Sequence, residues 1–226
     1  MPERGSANEE YNGGMRSTEA IVEGLTDAQI TSVTHTEGPI LVLAGPGSGK
    51  TTVVKKIIEH LPEGKVALLP QDSYYRDNSS LLLEDRQRLN FDHPESIEWS
   101  LLINHIKQLR HGQLIQQPIY SYLTCIRSSE TIPVDPKPVI IIEGILVLTD
   151  PGLREMMDLK VYVDADADDR LGRVITRDII DRGRSVKAVL DRYESTVKPM
   201  HLEFIEPSKR YADLIIPQGG ENEVGI

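Results

Sequence analysis

The stretch "LAGPGSGKTT", Leu43 to Thr52, decides how the rest of the sequence is interpreted. It follows the apolar run "PILVL", residues 39–43, and leads into the amphipathic segment "TTVVKKIIEHL", residues 51–61. An apolar run, a glycine-rich turn and a segment with helical periodicity are typical of a strand, a tight loop and a helix. We therefore expect these residues to form a strand–loop–helix unit.

The residue types in this loop match a phosphate-binding pattern, with Ala44 in place of the first glycine. Small residues let successive backbone N–H groups turn inward around an anion, and the N-terminus of the following helix favours negative charge. Pro46 has no N–H, so the cradle loses one donor there. We expect Lys50 to reach the β and γ phosphates of a nucleotide and Thr51 to bind Mg²⁺. The predicted nucleotide-binding residues are Ala44, Gly45, Pro46, Gly47, Ser48, Gly49, Lys50, Thr51 and Thr52.

Beyond this unit, short β-rich runs alternate with helix-like segments. The runs are "KVALLP", "PVIIIEG", "KVYVDAD" and "ADLIIP". Continuous apolar strands separated by helices predict an α/β fold with a doubly wound parallel sheet, covered by helices on both faces. We expect residues 38–226 to form this domain and residues 1–37 to form a polar, flexible N-terminal extension.

Composition and charge exclude several classes of protein. The 226 residues are 39% hydrophobic and 27% charged, as in an ordinary globular protein. The net charge of −10 argues against a broad nucleic-acid surface. The longest apolar stretch is interrupted by Glu143 and is too short to span a bilayer, the first residues contain no signal-peptide core, and the single cysteine, Cys125, fits a reducing compartment. We expect a cytoplasmic protein that binds neither nucleic acid nor membranes.

Acidic residues follow the predicted strands at the edge where ligands gather in such sheets. Asp72 comes after "KVALLPQ", Glu143 ends "VIII", and Asp164 follows "VYV". Glu143 is suited to hold a metal, directly or through water, and Asp72 could accept a proton from a substrate hydroxyl. Tyr74 and Tyr75 could line the acceptor pocket. A base beside a phosphate loop suggests a kinase, although Asp72 could also be a turn-forming residue.

The segment "RVITRDIIDRGR" places Arg173 and Arg177 four residues apart on one helical face, with Arg182 and Arg184 just beyond. A mobile helical lid carrying these cations could close over the transferring phosphoryl group, exclude water and neutralise developing charge. The alternative is a solvated charged helix. The phosphate loop elsewhere in the chain favours the lid.

From about Ile40 to Ile226, the chain resembles the uridine kinase family, also called uridine–cytidine kinases. The resemblance depends on the order of "GSGKTT", "QDSYYRD", "NFDHP", "PIYSY", "IIEGIL", "RDIIDRGR", "KPMHLEFIEPSKRYADLIIP" and "GGENE". It implies transfer of the γ-phosphoryl group of ATP or GTP, with Mg²⁺, to the 5′-hydroxyl of uridine or cytidine in pyrimidine salvage. The resemblance also implies a homo-oligomer, namely a homotetramer.

The resemblance assigns roles to individual residues. Asp72 matches the catalytic base, Asp92 matches the acid that holds ribose hydroxyls, and Lys50, Thr51 and Glu143 match the phosphate and metal set. The other matches are the aromatic wall positions Tyr75, Tyr120 and Tyr122 and the lid positions Arg177, Arg182 and Arg184. From the residues alone, Asp92 could equally begin a helix. Tyr120 and Tyr122 alternate, so on an extended segment they share one face and could serve only to pack against neighbouring side chains.

Three positions depart from the family pattern. The chain has Cys125 where better-studied members carry His, Val174 where they carry a second lid Arg, and Arg192 where they carry Gln. These positions touch base or ribose in such relatives, so Cys125 and Arg192 are expected to bind substrate here. A thiol is a weak donor and a weak acceptor, so we expect it to discriminate poorly between uracil and cytosine. The alternative is that Cys125 is a small buried hydrophobic residue and that backbone groups or water read the base.

Two other functions are compatible with parts of the sequence. A phosphoribulokinase-like or pantothenate-kinase-like enzyme would also need a base at Asp72, but not an aromatic-walled pocket. An acceptor-free nucleotide-binding regulator would need neither Asp72, Asp92 nor the tyrosines. The acceptor that supports phosphoryl transfer separates these alternatives.

Overall fold

The computed structural model describes residues 38–44, 47–180 and 183–217. The predicted extension, residues 1–37, lies outside this part of the chain. So do the predicted loop residues Gly45 and Pro46, the predicted lid residue Arg182 and residues 218–226.

The described strands are β1 (Gly38–Ala44), β2 (Val66–Pro70), β3 (Ile115–Ser121), β4 (Ile126–Val134), β5 (Val139–Gly144), β6 (Leu159–Val163) and β7 (Leu214–Ile216). Five of them form a parallel central sheet in the order β2-β5-β1-β6-β7. A separate antiparallel pair consists of β3 and β4. This arrangement confirms the predicted doubly wound parallel sheet.

Helices connect the strands of the sheet. They are α1 (Lys50–His60), α2 (Leu83–Gln87), α3 (Trp99–Arg110), α4 (Pro151–Glu155), α5 (Ala167–Ile180) and α6 (Val186–Arg192). Two 3₁₀ turns, Gln71–Tyr74 and Pro94–Ser96, follow β2 and precede α3, respectively.

The chain stays helical after α6 and returns to the sheet at β7. It passes through a π-helical segment (Tyr193–Val197), α7 (Lys198–Met200), a second π-helical segment (His201–Ile205), α8 (Glu206–Ser208) and a 3₁₀ turn (Lys209–Tyr211). Pro199 and Pro207 each come two residues after a π-helical segment. Because proline has no N–H to donate to the carbonyl four residues back, both prolines interrupt the regular α-helical hydrogen bonding.

The sheet is covered on both faces, as predicted. Successive residues of β5 point to opposite sides, so Val139 and Ile141 pack with Val53 and Val54 of α1. Ile140 and Ile142 lie in the other core, together with Leu102 and Ile106 of α3. These side chains are at most 2% exposed. Helix α1 therefore covers one face, and helix α3 covers the other. The chain places β2 and β5 on one side of β1 and β6 and β7 on the other. Such a switch point in strand order opens a ligand-binding crevice at the carboxyl ends of the strands.

The β3–β4 hairpin is an element that the sequence reasoning did not predict. Pro118 lies inside β3, and the strand pairing shifts register between Pro118 and Tyr120. A proline and a register shift obscure the alternation by which a strand is identified in a sequence. The hairpin carries two of the predicted aromatic residues: Tyr120 in β3 and Tyr122 just beyond it. In the described ranges, no helix is both long enough and apolar enough to cross a membrane.

Candidate active site

The loop between β1 and α1 has the backbone of an anion cradle. Gly47 and Gly49 adopt φ angles of 80° and 86°, in the left-handed region that favours glycine. Gly49 is the N-cap of α1, where no side chain caps the helix and the first turn carries no acidic residue among the described positions. The N–H groups at the start of α1 can therefore serve an anion.

Helix α5 packs directly against this loop. A Cβ atom at Gly47 would lie 2.4 Å from the Arg170 carbonyl oxygen, so only glycine fits there. Arg173 of α5 donates from Nη1 to the Gly47 carbonyl oxygen at 3.1 Å. Ser48 is buried, and its Oγ has no hydrogen-bond partner in the described part of the chain. Helix α5 therefore holds the loop in place, and the Ser48 hydroxyl is left to bind a ligand.

Glu143 lies beside this loop because of the strand register. It pairs with Val42 of β1 and with Pro70 of β2, and its Oε1 is 4.0 Å from Lys50 Nζ. Its Oε2 is buried and has no hydrogen-bond partner among the described residues. Thr51 is exposed in the first turn of α1.

A carboxylate and a hydroxyl are oxygen ligands of the kind that Mg²⁺ prefers, so this set fits the predicted ion together with nucleotide oxygens. In the described ranges, no group of three or more His, Cys, Asp and Glu residues could hold a metal ion.

Asp72 lies in the 3₁₀ turn directly after β2. The turn is anchored by Gln71, which is fully buried and accepts a hydrogen bond from Leu146 N at 2.8 Å. A Cβ atom at Gly144 would lie 2.3 Å from the Gln71 side chain, so β5 and the turn pack as closely as glycine allows. Tyr122 donates its phenol hydroxyl to Asp72 Oδ2 at 2.5 Å. One carboxylate oxygen of Asp72 thus already accepts a hydrogen bond from a hydroxyl group.

An aromatic cluster lies next to Asp72. The ring of Tyr75 is 5.1 Å from Phe91, 5.1 Å from Tyr120 and 6.4 Å from Tyr122, measured between centroids. Burial, followed by the negative charges of Asp72 and Asp92, raises the pKa of Tyr75 well above its usual range. The structure therefore brings the three predicted tyrosines together. Sequence reasoning missed Phe91, although it stands next to Asp92 in the quoted motif "NFDHP".

Asp92 is buried at the edge of this cluster and is 7% exposed. Burial raises the pKa of its carboxyl, and the nearby Arg192 guanidinium opposes that effect. Arg192 Nη2 lies 3.3 Å from Asp92 Oδ2. The 3₁₀ turn Pro94–Ser96 is capped by His93, whose Nδ1 accepts from Glu95 N. His93, not Asp92, therefore has the capping role that the sequence left open for Asp92.

Two of the predicted lid arginines, Arg177 and Arg184, converge on a carboxylate that sequence reasoning missed. Asp178 of α5 is 1% exposed. Arg177 Nη2 is 2.9 Å from its Oδ1, and Arg184 Nη1 is 2.7 Å from its Oδ2. Arg192 Nη1 lies 3.6 Å from the same Oδ2. An acid directly after a predicted lid arginine was the available signal.

Three other positions that the sequence singled out are Cys125, Val174 and Asp164. Cys125 is buried with φ of 54°, and its Sγ contacts the Tyr122 carbonyl oxygen at 3.5 Å. Val174 is buried in α5, so this position brings no charge to the site. Asp164 lies at the same sheet edge, but its Oδ2 is paired with Lys209 Nζ at 2.5 Å.

Known proteins match this chain over most of its length. The family model described as "Phosphoribulokinase / Uridine kinase family" matches residues 40–225. A uridine kinase of Clostridium botulinum (strain Okra) is 50% identical over 190 residues, covering 83% of this chain and 92% of the relative. A uridine kinase of Halalkalibacterium halodurans is 52% identical over 185 residues, covering 82% of this chain and 88% of the relative.

A solved structure of D-glycerate 3-kinase from Cryptococcus neoformans shares the fold. Its TM-score is 0.60 at 15% identity, with 91% of this chain and 97% of that chain covered. This likeness shows the fold alone. The family model and the two uridine kinases show that the chain belongs to the phosphoribulokinase / uridine kinase family.

Proposed function

We propose that residues 38–226 form a uridine kinase that transfers the γ-phosphoryl group of ATP or GTP to the 5′-hydroxyl of uridine or cytidine, giving UMP or CMP. The observation that carries this proposal is the position of Asp72. Its carboxylate already accepts a hydroxyl hydrogen bond, and it lies near the aromatic cluster of Tyr75, Phe91, Tyr120 and Tyr122. The two relatives at 50% and 52% identity, both named uridine kinases, support the same reaction.

The donor end of the site is the loop and the start of α1. The N–H groups from Gly47 onward and the Lys50 ammonium would hold the β and γ phosphates. Thr51 and Glu143 would hold Mg²⁺, which when bound neutralises charge on the phosphates. Glu143 also lies 4.0 Å from Lys50 Nζ and so helps to orient that side chain between the carboxylate and the phosphates.

The acceptor end is formed by Asp72, Asp92 and the aromatic side chains. Asp72 would orient the nucleoside 5′-hydroxyl and take its proton, a role for which a positioned carboxylate is suited. The Tyr122 hydroxyl occupies the position from which a substrate hydroxyl could donate to Asp72 Oδ2. The Tyr122 hydroxyl would have to release Oδ2 before the substrate hydroxyl could bind there. Asp92 would accept hydrogen bonds from ribose hydroxyls, and the rings around Tyr75 would pack against the base.

The arginines would act on the transferring group. Arg177 and Arg184 would neutralise charge that develops on the phosphoryl oxygens, in a site from which water is partly excluded. Arg182, which lies outside the described residues, would join them according to the family pattern. Arg192 lies at the ribose side, where it is paired with Asp92.

An acceptor comparison tests the proposal. Purified protein with ATP and Mg²⁺ would be given uridine, cytidine, ribulose 5-phosphate or pantothenate, and ADP formation would be followed. We expect turnover with uridine and cytidine and none above background with the other two. Turnover with only ribulose 5-phosphate or only pantothenate would contradict the proposal and would identify a kinase for that other acceptor.

The homotetramer and the cytoplasmic location remain predictions. Light scattering of the purified protein tests the first of them.

A further inference from the structure

The guanidinium of Arg192 stands between two carboxylates that belong to different parts of the site. Its Nη2 is 3.3 Å from Asp92 Oδ2, and its Nη1 is 3.6 Å from Asp178 Oδ2. Asp92 belongs to the nucleoside side of the proposed site, and Asp178 holds the arginines of the phosphate side. One side chain of α6 therefore touches both halves.

The two carboxylates differ from the arginines in how firmly they are held. The side chains of Asp178 and Asp92 are 1% and 9% exposed, whereas those of Arg177, Arg184 and Arg192 are 34–42% exposed. A buried carboxylate needs cationic or hydrogen-bonding partners, because leaving it without them is costly. A half-exposed guanidinium can exchange one anion for another at lower cost. Asp178 is thus a fixed anchor, and the arginines around it can change partners.

We propose that Arg192 couples the nucleoside and phosphate-donor sites by dividing its charge between Asp92 and Asp178. This inference rests on the proposed function, since it takes Asp92 as the residue that binds ribose. Arg192 acts through Asp178 on Arg177 and Arg184, and is therefore a positioning residue for the donor site.

The coupling follows from competition for Asp178. When ribose hydroxyls donate to Asp92, they occupy the carboxylate oxygen that now accepts from Arg192. Arg192 then shifts toward Asp178. Arg192 then competes with Arg184 for Oδ2 of Asp178, on which both converge at 3.6 Å and 2.7 Å. The displaced guanidinium becomes available to phosphate oxygens of the donor. Nucleoside binding therefore strengthens donor binding, and by linkage the donor strengthens nucleoside binding by the same factor.

The test is the dissociation constant of uridine measured by calorimetry, with and without a saturating non-hydrolysable ATP analogue and Mg²⁺. For the wild type we expect the analogue to tighten uridine binding by about 5-fold or more, the lower end of typical coupling between sites. For Arg192→Met, which keeps the length of the side chain but removes its charge, we expect the ratio of the two constants to fall to near 1. Lys187→Met is the matched control, because Lys187 is an exposed cation of the same helix, paired with Asp191 at 2.6 Å. It should keep the wild-type ratio.

The ratio separates coupling from a local effect of Arg192 on Asp92. A purely local role would weaken uridine binding equally with and without the analogue and leave the ratio unchanged, which would overturn the inference. A wild-type ratio near 1 would overturn it as well. If Arg192→Met does not fold, Arg192→Gln serves instead, since it can still hydrogen-bond Asp92 but offers no charge to Asp178. Failure of uridine to bind the wild type at all would count against the proposed function itself.

Discussion

At the scale of single residues, the site depends on acids that are buried beside cations. Asp92 is 7% exposed, and its carboxyl has a raised pKa because burial disfavours the charged form. Arg192, 3.3 Å away, opposes this effect and favours the carboxylate. Since only the carboxylate accepts two or more hydrogen bonds without donating one, ribose binding should require the charged form.

We expect the KM for uridine to rise as the pH falls from neutrality toward the raised pKa of Asp92, because protonation removes an acceptor. Asp92→Asn should raise the KM about 10- to 100-fold at pH 7, the cost of losing hydrogen bonds to a charged acceptor. It should also remove that part of the pH dependence. Asp158→Asn, at an exposed acid before β6, is the control and should change neither. Steady-state kinetics over pH would check both, and a KM profile that Asp92→Asn leaves unchanged would exclude Asp92 from the ribose site.

Cys125 supports a prediction about selectivity. It has a left-handed φ of 54°, a conformation that His tolerates better than most residues, so Cys125→His is structurally reasonable. We expect the kcat/KM values of the wild type for uridine and cytidine to lie within roughly 10- to 150-fold of each other. Cys125→His should change their ratio and leave ATP affinity as it is. An unchanged ratio would mean that the thiol, which contacts the Tyr122 carbonyl oxygen, does not read the base.

At the scale of elements, the sequence predicted the features that are local in the chain and missed those that depend on tertiary contacts. The strand and the helix around Lys50 follow from residues 38–60, and both form, with Gly47 and Gly49 in the left-handed region between them. Asp178 was missed because its importance comes from Arg184 and Arg192, which the fold brings to it. Phe91 was missed because the aromatic ring it packs against, Tyr75, is distant in the sequence.

The contact between the phosphate loop and α5 makes Gly47 a position that is sensitive to substitution. Gly47→Ala would have to adopt a positive φ and would also push Cβ against the Arg170 carbonyl oxygen. Gly112→Ala separates the two costs, because Gly112 has a φ of 74° with nothing within 4 Å of its Cβ position. We expect Gly112→Ala to lower the free energy of unfolding by about 1 kcal/mol, the usual strain of that conformation.

Gly47→Ala should cost more than Gly112→Ala and should weaken ATP binding at least about 10-fold, since the loop must shift to relieve the clash. Urea unfolding and calorimetric titration with ATP measure the two effects. Equal losses of stability in the two variants, with ATP affinity intact, would show that the contact with Arg170 is unimportant.

The helical segment between α6 and β7 contains a pH-sensitive residue. Burial, aided by the charge of Arg170, lowers the pKa of His201 to about 4 from an unperturbed value of 6.5. Between these values the unfolded chain binds the proton more readily, so the free energy of unfolding should fall as the pH drops from 6.5 to 4. We expect a loss of roughly 1–3 kcal/mol from this residue. His201→Gln should flatten the slope measured by urea unfolding, whereas exposed His111→Gln should not; equal slopes would contradict the assignment.

At the scale of the whole molecule, the alternation of apolar runs and helices was enough to predict the parallel sheet. The runs in β5 and β6 are buried on both faces because helices cover both, and that burial is what makes them continuous in the sequence. The β3–β4 hairpin stands outside this sheet, contains Pro118 and follows no such pattern. It nevertheless carries Tyr120 and places Tyr122 on Asp72, so the acceptor side of the site was the part least accessible to pattern reasoning.

The central claim is that Asp72 activates a nucleoside hydroxyl next to a nucleotide-binding loop. Its most direct test is ADP release with and without uridine, measured for the wild type and for Asp72→Asn, which keeps size but removes the basic carboxylate. We expect wild-type ADP release to depend on uridine and to match UMP formation one to one. Asp72→Asn should lose about 100-fold or more of that turnover while binding ATP as tightly as the wild type. ADP release without an acceptor as the main activity, or near-wild-type turnover in Asp72→Asn, would contradict the account.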